Sequence, residues 1–175
     1  EQNNSSDLLL VIDMQNVYTK GQEWACKGIE HASASILRLL KVKKQAGHLT
    51  QYLATEHPDG VWKEYNKVNA AVNSDPWLNE MMPEFLPWVK TYPVFTKSVY
   101  SSFAIPEVVK AAKKSPASCH LRRSSRMLRT LHRPLRHRCR MQSHLLTDAV
   151  AGLNATSRKE AENILPTCPL LHTEL

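Results

Sequence analysis

The stretch "DLLLVIDMQN", residues 7–16, decides the fold. Five apolar residues follow one another without the in-out alternation of a strand that has one wet face, and the run ends in an acid and two amides. A strand covered on both faces has this pattern, and such strands belong to parallel sheets layered between helices.

Outward from that strand the chain continues in the same style. Residues 29–46 place Ile29, Ala32, Ile36 and Leu40 at helical spacing, close with Lys43 and Lys44, and stop before Gly47, where a helix end is expected. "HLTQYLAT" (48–55) reads as a second strand, and strand, helix, strand in that order implies a parallel crossover. Residues 58–88 read as loop and short helix. "YPVFTKS" (92–98) is a third strand, and "IPEVVKAAKK" (105–114) is a helix opening on a proline. Later, "LLTDAVAG" (145–152) gives a strand end, and Ser157 with Glu160 fits a capping box for a helix over about 158–165. The expected fold class is therefore α/β, a three-layer α/β/α arrangement with a mostly parallel, Rossmann-like central sheet, in a single domain spanning 1–175. Ligands of such sheets bind at the C-terminal ends of the strands.

Composition narrows the possibilities. The 175 residues carry a formal net charge of +7, but all of the excess sits in one place. From Val108 to Thr147 there are eleven Lys or Arg and no acid, leaving twelve basic against sixteen acidic residues elsewhere. All twelve aromatics lie at or before Phe103, and no glycine occurs between Gly60 and Gly152. The protein is not basic; one segment is. That segment has eight arginines that could contact phosphates, but it lacks aromatics for stacking and contains Pro134, so a solvated basic loop is preferred to a nucleic-acid partner. No run approaches a membrane span, and the default setting is cytoplasmic. Cys26, Cys119, Cys139 and Cys168 show no C-x-x-C spacing and read as plain thiols.

Asp13 ends the first strand and Lys97 the third. Two such ends can share a pocket, where the pair either moves a proton or serves as a structural ion pair between neighbouring strands. "LLLVIDMQNVY", "KSVYSSF" and "LTDAVAG" together resemble the isochorismatase-like cysteine hydrolases, over roughly residues 7–113 and 145–165. The resemblance implies hydrolysis of a small molecule's amide, ester or related bond, with Asp13 as proton acceptor, Lys97 assisting and a cysteine as nucleophile. Gln15 follows the acid as the family's glutamine does, and with Tyr18 it is expected to contact substrate. Trp24, Trp62, Tyr100 and Phe103 are candidates for the pocket wall, the ordinary use of aromatics near such an edge, with core packing as the alternative for each. A homo-oligomeric assembly is expected. No cofactor is called for. The nicotinamidase branch holds a metal through an Asp and a following His; here Thr55 precedes His57 in "ATEHPDG", no histidine follows until His120, and no metal is expected.

Counting back about twenty residues from Asp148 places the family's cysteine at Leu128, so the chain as written lacks its nucleophile. The codons suggest why. Methionine is ATG and leucine codons begin with C or T, so reading Met127-Leu128 one base later gives TGC or TGT, a cysteine. The same shift can make Arg126 glutamate and Arg129–His132 V-L-S-T, giving E-C-C-V-L-S-T in family order. Residues of about 115–145 are thus expected to be an out-of-frame translation, with the fourth strand and its following helix disrupted. The face-value alternatives are a non-catalytic binding protein and an anion-binding protein that uses the basic run.

Overall fold

The computed structural model describes residues 8–42, 47–114, 119–123, 143–152 and 171–174. Six strands form one parallel sheet: β1 (Leu8–Ile12), β2 (Gly47–Tyr52), β3 (Val94–Lys97), β4 (Cys119–Arg123), β5 (Ser143–Val150) and β6 (Leu171–Glu174), in the spatial order β3-β2-β1-β4-β5-β6. The order reverses beside β1, where doubly wound sheets open a crevice at their C-terminal edge. Asp13 is the residue that leaves β1 at that point.

The all-apolar sequence of β1 follows from its position. Leu9 and Val11 face one layer, packing in a core with Leu49 of β2 and with Ile29, Ala32, Ile36 and Leu40 of α1 (Ile29–Val42). Leu8, Leu10 and Ile12 alternate to the opposite face, the side of α6 (Pro106–Lys114), where Phe103, Ile105, Val108 and Ala112 are also buried. Each fully buried leucine here contributes roughly 1.5–3 kcal/mol. Helices therefore flank the sheet on both sides. Among the described residues no helix is long and apolar enough to cross a membrane.

Between β2 and β3 the chain runs through four short helices: α2 (Trp62–Val68), α3 (Ala70–Asn73), α4 (Pro76–Asn79) and α5 (Leu86–Val89). The sequence "DPWL" starts α4 in the expected way, with Asp75 accepting a hydrogen bond from the Leu78 amide at 3.1 Å and proline in the first turn. Lys27 and Gly152 form an isolated antiparallel bridge, and Arg38 of α1 reaches Asp148 of β5 at 3.9 Å.

The structure alters one reading and adds two strands. Gly47 opens β2, and what its position demands is space: a Cβ there would meet the Tyr92 ring at 3.0 Å. Residues 119–123, within the stretch expected to be out of frame, form β4 and pair along their whole length with β1. Main-chain ladders need no particular side chain, and β1 and β5 provide a template on either side. The edge strand β6 carried no signal of its own in the sequence. The helix expected at 158–165 lies outside the described residues.

Candidate functional site

The chain turns sharply after β1. Asp13 has φ 55°, in the left-handed region that costs most residues about 1–2 kcal/mol and that Asp tolerates better than bulkier side chains. Its neighbours impose the conformation. The Asp13 amide still donates to Thr50 O at 2.9 Å, while two residues later Gln15 is held on three sides: its Oε1 accepts from the Tyr52 amide at 2.8 Å, and its Nε2 donates to Tyr52 O at 2.9 Å and Asn79 O at 2.7 Å. Asn16 adds bonds to Trp77 O and Glu80 O, and Met82 donates to Met14 O. The segment after β1 is thereby fixed to α4 and β2.

This scaffold aims the Asp13 carboxylate at Lys97. Lys97 Nζ donates to Asp13 Oδ2 at 2.6 Å, and both side chains are 1% exposed. The two residues sit on strands separated by β2, about 9–10 Å apart at ladder spacing. A lysine is long enough to bridge that gap. On the way its ammonium passes 5.7 Å from the centroid of the Tyr52 ring, the residue paired with Lys97 across the ladder. At the other oxygen, Thr50 Oγ1 lies 3.4 Å from Asp13 Oδ1, and Ser102 Oγ lies 3.1 Å from Thr50 Oγ1.

Aromatic rings cluster around Tyr52, the ring that Lys97 approaches. Trp24 contacts Tyr18, Tyr52 and Tyr65, and Trp62 packs against Tyr52, Tyr65 and Tyr100 with centroids between 4.7 and 6.4 Å apart. Burial, followed by Tyr100 and Asp13, pushes the Tyr52 phenol up to about 12; its hydroxyl donates to Asn66 Oδ1 at 3.2 Å. Tyr52 therefore remains a neutral donor at any ordinary pH.

The expected site residues separate on this geometry. Asp13 and Lys97 meet directly, and Trp24, Trp62 and Tyr100 belong to the aromatic cluster around Tyr52. Tyr18 is 6% exposed and packs in the α1 core. Gln15, expected to contact substrate, has both ends of its amide engaged by backbone and braces the segment after β1. Phe103 is 2% exposed and lines an open hollow of about 510 Å³ with Ala104, Pro106 and Val109 on the α6 side. Leu128 lies outside the described residues. His57 and Thr55 meet only locally in the β2–α2 loop, the His57 amide donating to Thr55 Oγ1. Sequence reasoning missed Thr50 and Ser102, since a hydroxyl in a strand or a turn is commonplace; the signal available was Thr50 on the same strand face as Tyr52.

Comparison with known proteins completes the description. The model of the isochorismatase domain family matches residues 7–118. Among solved structures, a cysteine hydrolase from Pseudomonas syringae pv. phaseolicola 1448A superposes with a TM-score of 0.80 at 14% identity, covering 97% of this chain and 89% of that one. The nicotinamidase of Bacillus subtilis gives 0.75 at 15% identity, with 97% and 99% covered. The MAR1 ribonuclease of Caenorhabditis elegans gives 0.68 at 18%, with 99% and 79% covered. At these identities the likeness is one of fold. No curated protein matches the chain.

Proposed function

The chain belongs to the isochorismatase family, and from that premise we propose that it is by descent a cysteine hydrolase acting on an amide, ester or related C–N or C–O bond of a small molecule. The observation that carries this reading is the fully buried Asp13–Lys97 pair, 2.6 Å apart, at the point where the strand order reverses. In this mechanism the carboxylate of Asp13 takes the thiol proton of the nucleophile. The acid becomes neutral, the sulfur becomes anionic, and the Lys97 ammonium stays behind to balance it, so the total charge of the site is unchanged through the step. Thiolate attack then builds an oxyanion that backbone N–H groups beside the nucleophile would hold. Asp13 returns the proton to the leaving group as the C–N or C–O bond breaks, and a water that gives its proton to Asp13 then cleaves the thioester, the proton passing back to the sulfur to restore the thiol. Trp24, Trp62, Tyr52 and Tyr100 keep bulk water from the pair and serve as the apolar wall against which a substrate is placed.

The nucleophile belongs at position 128, which holds leucine. As written the chain is therefore a hydrolase scaffold without its thiol, and the proposed cause is an out-of-frame reading over about 115–145. The family match supports this: it closes at residue 118, just before the arginines of the basic segment begin at Arg122. The test has two parts. Sequencing the coding DNA across 113–148 is expected to show codons that yield E-C-C-V-L-S-T one base later; codons that cannot do so sink the frame argument. An amide and ester panel is then assayed with the chain as written and with the in-frame version. The first is expected to be silent and the second active, with activity lost on Asp13→Asn. Turnover by the chain as written would refute the missing nucleophile.

A second reading has its own observation, the eleven basic residues without an acid between Val108 and Thr147, in a fold that a ribonuclease also adopts. On that reading the run contacts phosphates. RNA binding that falls steeply with salt and vanishes on deleting 120–140 would favour it over hydrolysis of a small molecule.

A further inference from the structure

Resting on the reading of Asp13 as proton acceptor, we infer that Thr50 and Ser102 are positioning residues that keep its carboxyl group satisfied in both of its protonation states. Asp13, Thr50 and Ser102 are each 0% exposed, so water does not substitute for their mutual contacts. The contacts run in line, from Ser102 Oγ to Thr50 Oγ1 at 3.1 Å and from Thr50 Oγ1 to Asp13 Oδ1 at 3.4 Å, with Lys97 on the other carboxylate oxygen.

The inventory of donors sets the direction of this chain. A carboxylate only accepts, whereas a hydroxyl carries one proton and two lone pairs. With Asp13 ionised, Thr50 donates to Oδ1 and Ser102 donates to Thr50. Once Asp13 has taken a proton on Oδ1, that oxygen becomes a donor, and both hydroxyls rotate by roughly 120° so that Asp13 donates to Thr50 and Thr50 to Ser102. No proton enters or leaves through the two hydroxyls; the single proton gained comes from the nucleophile and returns to the leaving group. An amide N–H or an ammonium in place of Thr50 would oppose the neutral acid, and a pure acceptor would oppose the carboxylate. Only a hydroxyl serves both. The elements supply the geometry. Thr50 pairs with Ile12, the residue before Asp13, and Ser102 opens the 3-10 turn Ser102–Ala104 that follows β3.

The test uses the full chain labelled with [13C]aspartate, the Asp13 carboxyl resonance being assigned by its loss in Asp13→Asn. Lys97 on β3 and Tyr52 on β2, titratable groups facing Asp13, stay intact in the other variants. Thr50→Val is expected to move the resonance at neutral pH. Thr50→Ser is expected to restore it, and Ser102→Ala to move it in the same direction by less. A resonance unmoved by Thr50→Val, unrestored by Thr50→Ser, or indifferent to Ser102→Ala overturns the inference. Thr50→Ser and Ser102→Ala are mild enough to be read if Thr50→Val does not fold. This readout needs no turnover, so it stays decisive in the silent chain as written, whereas silence of the in-frame version counts only against the proposed hydrolysis. In an active in-frame protein, Thr50→Val should lower kcat about tenfold with little change in KM.

Discussion

In a Lys97→Met variant the Asp13 carboxylate keeps its burial and loses the cation 2.6 Å away. Methionine nearly matches the volume of the lysine stem, so the change isolates charge rather than packing. Both side chains of the pair are 1% exposed, which leaves no solvent screening to soften the loss. Removing one partner of a buried pair costs about 3–5 kcal/mol, because the remaining charge loses the ammonium at its closest oxygen where no bulk water replaces it. A domain's whole stability is on the order of 5–15 kcal/mol, so the variant stands near the edge of folding. The double variant Asp13→Asn with Lys97→Met contains no charge and should recover at least about 2 kcal/mol of that cost. Urea unfolding measures both numbers, with the denaturant slope expected to stay constant. A Lys97→Met cost below about 1 kcal/mol, or a double variant as unstable as the two single changes combined, would refute the idea of a tightly coupled buried pair.

Three further outcomes are expected. Gln15→Ala leaves the Tyr52 amide and two buried carbonyls without partners and should cost about 3 kcal/mol in urea unfolding. Gly47→Ala presses a methyl group into the Tyr92 ring at 3.0 Å and should cost about 1–2 kcal/mol, with Gly47→Ala in a Tyr92→Leu background costing less. The raised Tyr52 phenol makes stability fall with rising pH. Between about 10 and 12 the unfolded chain releases the proton while the folded chain retains it, a contribution on the order of 2 kcal/mol that is whole below pH 10 and lost by 12. Tyr52→Phe should remove that part of the slope, as measured by chemical unfolding at pH 9.5 and 11.5.

Much of this site was legible from residue order. A continuous apolar run that ends in an acid left little choice for β1 other than a central parallel strand, and Asp13 and Lys97 then fell at the same sheet edge because both close such strands. What was not legible depended on partners distant in sequence. Nothing local to Gln15 reveals that Tyr52 and Asn79 surround its amide. Thr50 and Ser102 carry the commonest polar groups at unremarkable positions, and only the fold aligns them with Oδ1. β4 was hidden because its residues give no hydrophobic period; its position depends on the ladders of β1 and β5. Gly47 was recognised as special for the wrong cause, since the ring it must clear lies 45 residues further along the chain.

The Lys27–Gly152 bridge has a mechanical consequence. Its two hydrogen bonds, 2.7 and 3.3 Å, join the threshold of α1 to the end of β5, and His31 and Arg38 of the same helix grip Asp148. The far side of the sheet is thus attached to the near side twice, once through the β4 ladders and once over the top through α1. The helix behaves as a strut, which keeps β1 and β5 at a spacing one strand wide whatever side chains β4 carries. Loss of β4 pairing would leave a slot rather than a collapsed sheet, and the Asp13 edge of β1 would keep its shape.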